Sequence, residues 1–174
     1  ASGLEACSDE QANLGSEADA ACPQASKVGT VSIETPLLAE PLRGEVYIRE
    51  PKPGQLFRIL LVARGAGLVV KLPGDVNPDP RTGRITAVFE NTPQLPFTRL
   101  LVRFKDGPRS PLVNPKACGP ATATATFTSY TGADARPTSE VVYHGCGGVF
   151  APILEAGTLN PLAGAFSPFT LTIR

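Results

Sequence analysis

The chain has 174 residues, with 18 prolines, 17 glycines, no methionine and no tryptophan, and 42% of it is hydrophobic. That is enough for one ordinary domain with a core, and it excludes both a collagen-like repeat and a chain too poor in apolar residues to fold. Sixteen basic and 16 acidic residues cancel, which removes the electrostatic case for a nucleic-acid partner, and the longest apolar run, Ile59–Ala63, is far short of the about 20 residues of a bilayer-spanning helix.

The chain opens Ala1-Ser2-Gly3-Leu4-Glu5-Ala6-Cys7 with neither the basic nor the apolar stretch of a signal peptide. Lacking methionine as well, it reads as a piece of a longer chain. Ser8-Asp9-Glu10-Gln11 is a capping-box pattern, so one short helix is predicted between Cys7 and Cys22. After Pro23 the pattern changes to short β-type runs cut by proline and glycine: Lys27–Ile33, Glu45–Glu50, Leu56–Ala63, Leu68–Leu72, Arg84–Phe89 and Arg99–Phe104. Further runs follow at Ala121–Tyr130, Glu140–His144 and Phe169–Ile173. Arg58 to Arg64 is apolar on both faces between its bracketing arginines, as suits a central strand covered on both sides. In Arg84–Phe89, Ile85, Ala87 and Phe89 share one face, which makes that strand half wet. Ala121 to Thr128 alternates strictly, so Ala and Phe are expected over a core with the threonines opposite. Asp79-Pro80-Arg81-Thr82-Gly83 reads as a hairpin loop built on a type I turn. Asp106-Gly107-Pro108 is a second turn, and Gly65-Ala66-Gly67 a third.

Four cysteines, Cys7, Cys22, Cys118 and Cys146, show no C-x-x-C spacing that would read as a zinc or redox site. Their even number and wide spacing favour two disulfides and an oxidising compartment. Three connectivities are open; pairing of sequence neighbours, Cys7–Cys22 and Cys118–Cys146, closes the smaller loops, and the first ring contributes roughly 3 kcal/mol in the chain-entropy model. Four buried free thiols are the competing reading.

Other candidate sites are weaker. His144 is the only histidine; as a base, or as a zinc ligand with Cys118 and Cys146, it would lack a fourth donor, so it reads as a strand-end residue. Asp75-Val76-Asn77-Pro78-Asp79 opens like a calcium loop but has Pro80 where glycine is required and Thr86 where the bidentate glutamate is required. There is no nucleophile elbow and no phosphate loop. Strand-borne Glu45, Glu50 and Glu90 would suit a glycosidase only if folding brought them together. Sugar-stacking aromatics are restricted to Tyr47, Tyr130 and Tyr143. Arg43, Arg49, Arg58, Arg64, Arg99 and Arg103 would supply a polar contact face, or keep strands soluble and edges unpaired.

The segments Cys7-Ser8 through Cys22-Pro23-Gln24-Ala25-Ser26-Lys27-Val28-Gly29-Thr30-Val31 and Pro41-Leu42-Arg43-Gly44-Glu45-Val46-Tyr47 carry a likeness. It continues through Asp79-Pro80-Arg81-Thr82-Gly83-Arg84, Leu95-Pro96-Phe97, Asn114-Pro115-Lys116-Ala117-Cys118-Gly119 and Gly145-Cys146. Together they resemble a repeated module of very large secreted proteins of actinobacteria. The resemblance covers nearly the whole chain and implies location and architecture, not an activity. It also implies that the stretch from Glu155 through Ile173 opens a following module, with a junction near Gly147 to Pro152.

The fold expected is all-β, an antiparallel β-sandwich of Ig-like or Greek-key type with one short N-terminal helix. Residues 1–148 form the disulfide-stapled module, and residues 149–174 a linker and the first strand of the next module, or a strand completing the fold. The function expected is that of a non-enzymatic spacer or adhesion-type repeat in a large secreted or cell-surface protein, whose partners are neighbouring modules of the same chain. The alternative is a module binding a surface glycan or a protein through loops such as Gly74–Gly83 or Lys105–Asn114. A hydrolase comes third. No cofactor, metal or catalytic residue is assigned, and the cysteines are the only site residues.

Overall fold

The computed structural model describes residues 4–107, 110–115, 117–145, 153–158, 162–164, 166 and 169–173. It is β-rich, and its paired strands are antiparallel. Among the described residues no helix is long and apolar enough to cross a membrane. The chain divides into two compact units, residues 1–115 with 128–134, and residues 116–127 with 135–174.

The first unit holds a short helix, α1 (Asp9–Ala12), and six strands: β1 (Lys27–Glu34), β2 (Leu42–Arg49), β3 (Phe57–Gly65), β4 (Leu68–Pro78), β5 (Ile85–Val88) and β6 (Arg99–Phe104). They form one sheet in the order β5-β4-β3-β2-β1-β6, so five strands follow as neighbours and the sixth returns beside the first. The capping box forms as predicted: the Ser8 hydroxyl accepts from the Gln11 amide, and the Gln11 side chain accepts from the Ser8 amide.

Register places the apolar residues on one face. Val31 pairs with Gly44, Gly44 with Ala63 and Ala63 with Val70, a single row across β1 to β4. Val31, Ile33, Leu42, Val46, Ile59, Leu61, Ala63 and Val76 make up most of the inner core. Each fully buried Val, Leu or Ile side chain among them contributes about 1.5–3 kcal/mol. The sheet is curled, and two glycines permit it. A Cβ on Gly44 would lie 1.8 Å from the Val62 carbonyl oxygen, and one on Gly29 would lie 2.4 Å from that of Arg103.

β3 is buried on both faces, as its two-sided apolar run predicts. Ile59, Leu61 and Ala63 enter the inner core, while Leu60 and Val62 join Tyr47 on the outer face beneath Cys7 and Ala12. β4 runs past the predicted end at Leu72 to Pro78. β5 pairs only with Asp75–Pro78, so Pro73 has a strand neighbour on one side alone, a position where a proline is tolerated.

Two turns carry out their sequence chemistry. Ala66 (φ 50°) and Gly67 (φ 77°) form a two-residue hairpin loop between β3 and β4, the type I′ pattern with positive φ at both positions. In the Asp79–Gly83 loop the Asp79 carboxylate accepts from the amides of Arg81 and Thr82 and from the Thr82 hydroxyl, and Gly83 takes φ 71°.

The second unit contains β7 (Gly119–Thr124) paired with β10 (Thr138–Tyr143), and β11 (Leu154–Thr158) paired with β12 (Phe169–Ile173). A short hairpin, β8 (Phe127–Thr128) with β9 (Asp134–Ala135), interrupts the chain between β7 and β10. The continuous strand expected over Ala121–Tyr130 is therefore broken at Ala125–Thr126, and its Ala face is exposed. Alternation fixed the extended backbone; the Ala side chains bury too little area to fix a core face. β12 matches its predicted run, whereas β11 has no counterpart among the predicted strands.

Candidate functional site

The outer face of the first sheet carries the chemistry, in two parts. The first is a strap. Cys7 adds a parallel bridge to the end of β2: its amide donates to the Ile48 carbonyl (2.9 Å), and its carbonyl accepts from the Glu50 amide (3.0 Å). The chain then turns through α1 and returns to Cys22, which is disulfide-bonded to Cys7 with the Cα atoms 5.0 Å apart. This is the first of the two bridges expected. The second expected bridge, Cys118–Cys146, includes Cys146, which lies outside the described residues.

Ion pairs fix the strap to the strands beneath. Asp9 Oδ1 accepts from both Arg49 Nη2 and Arg58 Nη2 at 2.6 Å. These arginine side chains are only 3% and 5% exposed, whereas the Asp9 side chain is 68% exposed, so a solvent-facing carboxylate neutralises two buried guanidiniums. The hydrogen bond from Arg58 above all, with that from Arg49, holds Asp9 below the usual carboxylate range. Arg49 Nε is buried without a hydrogen-bond partner among the described residues.

At the far end of the strap, Arg64 donates to Asp19 (2.6 Å) and to Glu45 (2.5 Å), and Glu45 also meets Lys27 (3.5 Å). The Arg64 hydrogen bond lowers Asp19, and burial pushes the Tyr47 phenol up. Lys71 Nζ donates to the carbonyls of Asn13 (2.5 Å) and Ser16 (3.0 Å), closing the turn after α1. The local pattern of the sequence did not reveal these partnerships. The available signal was the pair of arginines bracketing the β3 run, which require acids on whatever covers that face, together with the acid-rich stretch Asp9–Asp19.

The second part is a shallow groove on the same face, lined by Thr30, Ser32, Glu34, Arg43, Leu101 and Arg103. β1 forms its floor, and register sets Arg43 beside Ser32 and Arg103 beside Thr30. Glu34 is paired with Arg99 (3.5 Å).

The remaining candidates are scattered. Asp75 pairs with Lys52 (3.9 Å), Asp79 holds its own turn, and the extended strand through Pro78 replaces the calcium-loop geometry. Thr82 lowers Asp79. His144 follows β10 on the exposed surface. Glu45 is held by Arg64 and Lys27, while Glu90 lines a depression with Asp9 and Asp75. Among the described residues no three or more His, Cys, Asp and Glu side chains gather as a metal site.

No family model matches this chain, and no curated protein or solved structure does so either.

Proposed function

We propose that the chain is a non-enzymatic β-sandwich-type module of a larger secreted or cell-surface protein, serving as a spacer or adhesion-type repeat. One observation carries the reading: the N-terminal strap is fixed to the sheet by a disulfide as well as by ion pairs. A structural disulfide of this kind persists outside the reducing cytosol. The use of charge supports the same reading. The carboxylates lowered by arginines, Asp9 and Asp19, neutralise arginines of the fold itself, whereas a hydrolase needs paired carboxylates free to exchange protons. In this reading the neighbouring modules of the parent chain are the principal partners.

The test joins chemistry to location. Protein isolated from its native host is alkylated before reduction, and the cell-surface and secreted fractions are probed for it. Cys7 and Cys22 resist alkylation, and the protein appears outside the cytoplasm. A cytoplasmic protein whose Cys7 and Cys22 alkylate in the native state overturns the proposal.

A further inference from the structure

The six arginines of the first sheet divide into two groups. Arg49 and Arg58 are neutralised by Asp9, Arg64 by Asp19 and Glu45, and Arg99 meets Glu34. Arg43 and Arg103 are exposed, and neither makes an ion pair or side-chain hydrogen bond with a described residue. Both line the groove over β1, whose Thr30 and Ser32 hydroxyls are likewise unengaged by described side chains. In a chain of zero net charge, the fold thus leaves two positive charges on one groove that no described carboxylate neutralises, since Glu34 beside them is paired with Arg99. β2 and β6 are two strand spacings, about 10 Å, apart.

We infer that this groove binds an acidic polysaccharide, with Arg43 and Arg103 each taking a carboxylate of successive uronate residues and Thr30 and Ser32 meeting sugar hydroxyls. Guanidinium groups present planar paired donors that match a carboxylate. Hydroxyls supply the polar contacts a sugar chain requires, and a shallow groove open to solvent admits a polymer. The lining has no aromatic side chain, and of its apolar members, Val31, Pro41 and Leu101, Val31 is buried in the core beneath, which leaves little to anchor a peptide side chain. Glu34, already held by Arg99, closes one end against further negative charge.

The proposal goes beyond the spacer reading and fails separately from it, since location and disulfide state do not decide it. The test is affinity electrophoresis and calorimetry with polygalacturonate at low salt. Dextran is the neutral control and poly-glutamate the charged peptide control. The native chain binds polygalacturonate, more weakly as salt rises, and does not bind dextran. The double variant Arg43→Gln/Arg103→Gln binds about ten-fold more weakly or worse. The variant Arg81→Gln/Arg84→Gln, changed by the same charge in the exposed Asp79–Gly83 loop region, binds like the native chain. All four side chains are exposed, so folding is preserved, as equal melting temperatures verify. Failure to bind polygalacturonate at low salt overturns the inference, as does binding retained by the double variant. Equal or tighter binding of poly-glutamate or dextran overturns it as well.

Discussion

Gly44 and Ala66 sit a few residues from the same strand ends and answer to opposite constraints. Gly44 is required by space. A methyl at its Cβ position would lie 1.8 Å from the Val62 carbonyl oxygen of β3, and backbone in the centre of a sheet cannot move aside cheaply. Gly44→Ala is therefore expected to destabilise the fold by about 3 kcal/mol, at the upper end of overpacking costs, read as a fall in urea midpoint. Gly15→Ala, where nothing lies within 4 Å, is the neutral control. Ala66 is required by nothing. Its φ of 50° is costly for an L-residue other than Asn, Asp or Gly, and Asn-Gly is the preferred type I′ pair. Ala66→Asn is expected to raise stability by about 0.5–1 kcal/mol, visible as a higher melting temperature; an unchanged or lower one would mean that the loop does not hold this conformation.

Elements were legible in the sequence where a signal was local. The capping box formed, the Asp79–Gly83 loop closed on its own carboxylate, and the two-sided apolar run became the central strand β3. The disulfide Cys7–Cys22 was also local, joining neighbours in the cysteine order. What escaped depended on distant partners. The end of β4 was hidden because Pro73-Gly74 reads as a stop until one knows that β5 begins its pairing only at Asp75. The attachment of the strap was hidden because Asp9 meets arginines 40 and 49 residues away. The strap itself yields a prediction. With only one turn of helix, it has little stability of its own. Replacing both cysteines by serine is expected to cost about 2–4 kcal/mol and to expose backbone amides of residues 7–22 to hydrogen exchange well before those of β3. Equal protection of the two segments in the variant would show that the ion pairs alone suffice to hold the strap.

For the whole molecule, pH acts through few groups, and their direction sets the shape of its stability curve. Asp9 and Asp19 are lowered in the folded state, by Arg58 with Arg49 and by Arg64 respectively. The unfolded chain therefore binds more protons than the folded one as pH falls toward about 4, so the stability they confer is fully present above that value and is lost below it. The side chains of Arg49 and Arg58 are almost wholly buried, so acid, in protonating Asp9, leaves their guanidiniums without a counter-ion. Tyr47 works in the other direction. Burial raises its phenol, so the folded state retains a proton that the unfolded state releases, and stability falls as pH rises above about 10. Between these limbs the groups produce a plateau. The double variant Asp9→Asn/Asp19→Asn is expected to be about 1–2 kcal/mol less stable than the native chain on that plateau. This is less than for fully buried pairs, because both carboxylates are more than a third exposed and screened. Urea midpoints measured at intervals from pH 7 down to pH 3 are expected to converge for the two proteins, since acid removes from the native chain the charge that the variant already lacks. A difference that stays constant to pH 3 would show that the two aspartates act through shape and hydrogen bonding, and that the charge of the strap contributes nothing to holding it on the sheet.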